Sequence, residues 1–122
     1  MTAKGPVLVV DDDEDILYSI DMALSDEGYE VLTASDGAEA LTVVQQHLPR
    51  VILLDMRMPV MDGWQFARAY HRSPGPHAPI VVVTAAREAA ARAAEIGAEG
   101  VLPKPFRIEE LLQMVGRYAD RA

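Results

Sequence analysis

Five consecutive acids, Asp11-Asp12-Asp13-Glu14-Asp15, follow directly on the apolar run Val7–Val10. Asp55 follows a second such run, Val51–Leu54. Thr84 follows a third, Ile80–Val83, and Lys104 comes just after Gly100–Leu102. Carboxylates gathered without enough cations repel one another and favour their protonated forms. A hard divalent ion relieves that repulsion. A ligand set of oxygens, without His or Cys, favours Mg²⁺, or Mn²⁺ in its place, ions that keep waters and accept phosphate oxygens. An Asp carboxylate is also a nucleophile toward phosphorus. A hydroxyl and an ammonium beside it can neutralise charge on a transferring phosphoryl group.

That chemistry requires Asp11, Asp12, Asp55, Thr84 and Lys104 to meet, so the elements carrying them matter. Short continuous runs rich in β-branched residues read as strands buried on both faces, as in a parallel sheet. Tyr29–Ala34 and the very short Gly100–Leu102 are two weaker strand candidates. Helical spacing aligns Ile16, Ile20, Ala23 and Leu24, then Ala38, Leu41, Val44 and Leu48, then Ile108, Leu111, Leu112 and Val115. Arg87–Ile96 is an alanine-rich helix, Gly63–Tyr70 a shorter one, and Ser73-Pro74-Gly75-Pro76 a loop. Strands alternating with helices imply right-handed crossovers and a parallel sheet. Five units are too few to close a barrel, which leaves an open α/β sandwich. In such sheets ligands bind beyond the carboxyl ends of the strands, where the strand order reverses. With order 2-1-3-4-5, strands one and three flank that point and the site carboxylates converge there.

The 122 residues make room for a single domain, 1–122, with a formal net charge of −8. Up to Met61 there are 12 acids and 3 bases, and beyond it 7 acids and 8 bases. Neither half offers the basic patch of a phosphate-backbone binder, so no direct nucleic acid binding is expected. There are no cysteines, which excludes disulfides, thiolate metal sites and a catalytic thiol. The N-terminal stretch lacks a secretory core, and no run approaches the roughly 20 apolar residues of a membrane span. A cytoplasmic protein without membrane insertion is expected.

The segments Val9-Val10-Asp11-Asp12, Leu54-Asp55-Met56-Arg57-Met58-Pro59, Met61-Asp62-Gly63, Val83-Thr84-Ala85 and Lys104-Pro105-Phe106 occur in that order. In them the chain resembles the receiver domain of two-component response regulators, as found in chemotaxis-regulator-like single-domain receivers. The resemblance implies a flavodoxin-like doubly wound fold, a five-stranded parallel sheet of order 2-1-3-4-5 flanked by five helices. It implies Asp55 as phosphoacceptor, with Mg²⁺ held by Asp11, Asp12, Asp55 and the backbone carbonyl of Arg57. It further implies that Thr84 and Lys104 contact the phosphoryl group and that Lys104-Pro105 is a cis peptide. The phosphodonor would be a histidine kinase or phosphotransfer protein, and the protein a signalling switch, no enzyme beyond its own phosphorylation and dephosphorylation. The family often uses the fourth helix, fifth strand and fifth helix for pairing or output, which leaves a phosphorylation-dependent homodimer open. Val101 departs from the pattern, since many receivers carry Tyr or Phe at that position. The sequence ends soon after the last helix, which fits a stand-alone regulator or a receiver from a longer chain.

Plainer roles compete for several residues. Asp13, Glu14 and Asp15 suit the first turn of a helix. Asp62-Gly63 and Ser35-Asp36-Gly37 suit turns and helix caps. Met56, Met58 and Met61 read as adaptable packing, Trp64 as packing near the loop after Asp55, and His47, His71 and His77 as surface residues. Two other functions compete with the signalling switch. A degenerate receiver would bind partners without phosphorylation. A haloacid-dehalogenase-like phosphohydrolase would use Asp11-Asp12-Asp13 as its Asp-x-Asp signature, although Asp15 stands where that family has Thr or Val and no segment remains for a cap.

Overall fold

A computed structural model describes residues 4–120. Residues 1–3 and 121–122 of the expected 1–122 span, including the start of the stretch read as lacking a secretory core, lie outside the described residues. Strands and helices alternate throughout: β1 Lys4–Val10, α1 Glu14–Asp26, β2 Tyr29–Ala34, α2 Gly37–Gln46, β3 Val51–Leu54, α3 Gly63–Arg72, β4 Ile80–Ala85, α4 Ala86–Ile96, β5 Gly100–Lys104 and α5 Ile108–Ala119. All strand pairs are parallel and the order is β2-β1-β3-β4-β5.

Side chains alternate across the sheet, and so each strand feeds two cores. Leu8, Val10, Ile52, Leu54, Ile80 and Val82 face α2, α3 and α4, where they meet Ala40, Phe66 and Ala93. Val7, Val9, Val51, Leu53, Val81 and Val83 face α1 and α5, meeting Ile20, Leu24, Leu111 and Val115. Both faces of β1, β3 and β4 are therefore apolar, which explains their unbroken hydrophobic runs. Fully buried Phe66 alone contributes about 2–3 kcal/mol of hydrophobic stabilisation.

Several elements extend past their expected limits, β4 to Ala85, α3 to Arg72 and α4 from Ala86 among them, and α2 stops short. β1 starts at Lys4, with its register irregular between Lys4 and Val7 around Gly5-Pro6. β5 continues through Pro103 to Lys104, because it lies at the sheet edge, where a residue lacking an N–H is tolerated. Helix α2 ends at Gln46, so Leu48 is exposed rather than on its apolar face. Pro49 disfavours helical backbone at the residue before it.

Candidate functional site

The carboxyl ends of β1 and β3 lie side by side, with Val10 paired to Leu54. One residue on, the Asp55 N–H donates to the Val10 carbonyl at 2.9 Å and the Asp11 N–H to the Ala34 carbonyl at 3.1 Å. These bonds carry the ladder past the strand ends and hold Asp11 beside Asp55. One carboxylate oxygen from each of Asp11, Asp12 and Asp55 lies within 4.8 Å of the others. Asp11 is 3 % and Asp55 9 % exposed, whereas Asp12 faces solvent.

Lys104 joins the cluster through Asp11, its Nζ donating to Oδ2 at 3.0 Å. The other Asp11 oxygen accepts the Asp13 N–H at 2.9 Å. Asp55 is less well compensated. Burial, then the neighbouring Asp11 charge, push its pKa up to about 6, while Lys104 and the Met56 and Arg57 backbone N–H groups pull it back. The cluster thus lacks positive charge where its most buried faces meet. An oxygen-only set of three carboxylates at this spacing suits a divalent metal.

Thr84 is buried near the end of β4, opposite Pro103 and next to the Ala85–Lys104 pair. That register brings Thr84 and Lys104 to the same edge of the sheet as the carboxylates. The Lys104-Pro105 peptide is cis. Val101 is half-buried against the core on the α4 side.

The loop from Asp55 to Gly63 folds tightly onto itself. Its Gly63 N–H donates to the Met56 carbonyl at 2.9 Å. A Cβ on Gly63 would come within 2.7 Å of Met56 Cα and 2.8 Å of the Asp55 carbonyl, so only glycine allows this approach. Asp62 caps α3 in a reciprocal box with Gln65. Between them, Met61 N–H reaches the Pro59 carbonyl at 2.7 Å in a three-residue turn that holds exposed Val60 at φ 68°.

Asp13 caps α1, accepting from the Asp15 and Ile16 N–H groups, so the second acid of the Asp-x-Asp reading is committed to the helix. Asp36 caps α2 in the same way. Met56 is buried and Met58 and Met61 pack against the core, while His71 and His77 are exposed and contact the Tyr70 ring or each other. The Arg57 guanidinium points to Glu88 of α4, 3.1 Å away. Trp64 is more than packing. The guanidinium groups of Arg57 and Arg92 both lie over its ring, 5.7 and 5.5 Å from its centre. Neither Glu88 nor Arg92 carries a motif, and only their positions on α4 bring them here. On the other side of Lys104, a largely apolar groove of about 580 Å³ runs between α1 and the β5–α5 connection, lined by Ile16, Ile20, Ala85, Pro105, Phe106 and Ile108.

A family model for the response regulator receiver domain matches residues 7–116. The response regulator MprA of Mycobacterium sp. (strain KMS) is 44 % identical over 108 residues, covering 87 % of this chain and 46 % of that protein. MprA of Mycobacterium leprae is 42 % identical over 111 residues, covering 89 % of this chain and 48 % of its own length. The chain therefore spans about half the length of the curated relatives it matches. Among solved structures, the chemotaxis response regulator CheY4 of Vibrio cholerae superposes with a TM-score of 0.83 at 38 % identity, covering 97 % of this chain and 99 % of that one. A CheY-like receiver domain protein from Methanospirillum hungatei gives 0.83 at 30 %, covering 97 % and 95 %.

Proposed function

This chain belongs to the response regulator receiver domain family, and from that premise we propose that it is a phosphorylation-dependent signalling switch with Asp55 as its phosphoacceptor. The observation carrying this reading is the buried Asp55 carboxylate clustered with Asp11 and Asp12, with Lys104 on Asp11. A receiver is a signalling module rather than a free-standing enzyme, and receivers take their phosphoryl group from histidine kinases. We read residues 1–122 as one receiver domain, working in the cytoplasm. Among the described residues no helix is long and apolar enough to cross a membrane.

Asp55, pushed up to about 6, is mostly ionised at neutral pH and so can act as nucleophile. Its oxygen attacks the donor phosphorus, the new O–P bond forms as the donor N–P bond breaks, and the bonding pair returns to the imidazole nitrogen, which takes a proton from water. Lys104 and the Thr84 hydroxyl then stabilise the phosphoryl oxygens. Asp11, Asp12, Asp55 and the Arg57 carbonyl would hold Mg²⁺. When bound, the ion supplies the positive charge that the carboxylates lack and neutralises the phosphoryl oxygens. The phosphodonor would be a histidine kinase or phosphotransfer protein.

The test is incubation with acetyl phosphate and Mg²⁺, followed by intact mass measurement. Wild type should gain one phosphoryl group and Asp55→Asn none. A stoichiometric adduct that persists on Asp55→Asn overturns the assignment. Absence of any adduct on wild type favours a phosphorylation-independent binding module.

A further inference from the structure

Arg57 stands two residues past Asp55, and its backbone N–H helps to pull the Asp55 pKa down. An arginine side chain rooted so close can reach a group on that carboxylate. Its guanidinium is instead drawn aside, with Nη2 3.1 Å from Glu88 Oε1 and Cζ 5.7 Å from the centre of the Trp64 ring. The same indole takes Arg92 at 5.5 Å and donates its Nε1–H to Glu95 Oε1 at 2.9 Å. Glu95 Oε1 also lies 3.0 Å from Arg92 Nε. A polar chain thus runs from the phosphoacceptor loop through α3 to the last turns of α4.

The first link of that chain is weak. The Arg57 and Glu88 side chains are 67 % and 31 % exposed, and exposed ion pairs hold little free energy. A phosphoryl group on Asp55 brings a charge near −2 and three strong acceptor oxygens, which match a planar guanidinium better than one solvated carboxylate does.

We propose that Glu88 is a positioning residue for Arg57. It holds the guanidinium off Asp55 in the unmodified protein and yields it to the phosphoryl oxygens when Asp55 is phosphorylated, uncoupling the Asp55–Gly63 loop from α4. The proposal rests on the phosphoacceptor reading of Asp55. On the phosphoryl group, the guanidinium covers the side opposite the Asp55 oxygen, the side from which water must attack in line. The exchange therefore lengthens the life of the acyl phosphate, and it also removes a cation from the face of Trp64, the single tryptophan of the chain.

Acetyl phosphate with Mg²⁺ is the probe, with mass measurement, acyl phosphate decay and Trp64 emission as readouts. Glu88→Gln keeps the shape and removes the competing charge. It should lengthen the acyl phosphate lifetime by roughly twofold to fivefold, the span an exposed ion pair can supply. Its unmodified form should show Trp64 emission moved toward that of the phosphorylated wild type. Arg57→Gln should shorten the lifetime, and the Arg57→Gln/Glu88→Gln double variant should decay like Arg57→Gln alone. A purely structural role for Glu88 would not produce that dependence on Arg57. If wild type gains no phosphoryl mass, the phosphoacceptor reading falls and the exchange with it. If wild type is phosphorylated but Glu88→Gln decays as fast or faster, or the double variant differs from Arg57→Gln, the exchange alone is overturned.

Discussion

Replacing Asp55 with Asn should stabilise the metal-free protein at neutral pH and leave it almost unchanged in acid. The carboxyl titrates near 3.8 in an unfolded chain and near 6 in the fold, driven up first by burial and then by Asp11. Because the folded value is the higher one, the unfolded state loses its proton first as pH rises. Stability therefore falls between about pH 4 and pH 6, and the whole penalty is present above 6. At 1.36 kcal/mol for each pH unit, a gap of about two units amounts to about 3 kcal/mol. Asn mimics the neutral carboxyl and escapes this cost. Urea unfolding in a chelator, followed by circular dichroism at pH 4 and pH 7.5, isolates the effect, since every other titrating group is common to both proteins. At pH 7.5 the variant should gain about 3 kcal/mol, or about 10 °C in melting temperature for a domain of this size. At pH 4 the two should agree. Mg²⁺ at a hundredfold excess over its Kd adds about 2.7 kcal/mol to wild type and so closes most of the gap. A stability difference of the same size at both pH values, or a less stable variant at pH 7.5, would refute the electrostatic account of the site.

Gly63→Ala should cost about 1–3 kcal/mol, because the new Cβ meets backbone atoms of Asp55 and Met56 that cannot swing aside, and it should also weaken the melting-temperature response to Mg²⁺ by displacing Asp55. Val60→Gly should do the opposite. A β-branched residue at φ 68°, with its side chain in solvent, carries a left-handed strain of about 1–2 kcal/mol. Part of the gain is offset by the entropy of the freer unfolded chain, so denaturant unfolding should show a net stabilisation of about 1 kcal/mol; a loss of stability would mean that the turn relies on the valine side chain.

The central strands were legible because their surroundings are uniform. Val7–Val10, Val51–Leu54 and Ile80–Val83 are apolar on both faces, and only a two-sided sheet needs that pattern. The edges were harder. Pro103 looks like the end of a strand unless β5 is already known to lie at the sheet edge, and Leu48 keeps the helical spacing of α2 although Pro49 excludes it from the helix. The carboxylates, Thr84 and Lys104 could be gathered from the sequence because strand ends mark one edge of an open sheet. Which carboxylate Lys104 pairs with was not legible, since Asp11 and Asp55 are equivalent until burial and distance separate them. The Arg57–Glu88 contact was also hidden. It joins side chains 31 residues apart on a loop and a helix, and no periodicity links those two positions.

Placing all the chemistry at the carboxyl ends of the strands has a consequence for the opposite end. The Ser73-Pro74-Gly75-Pro76 turn lies between the end of α3 and the start of β4, on the far edge of the sheet from Asp55, and most of it is exposed. It makes none of the bonds that carry the β1 and β3 ladders into the site. The molecule thus has a working end and a handling end. New termini, a fluorophore or an inserted module at the turn would be carried by the scaffold without entering the electrostatics of the carboxylate cluster.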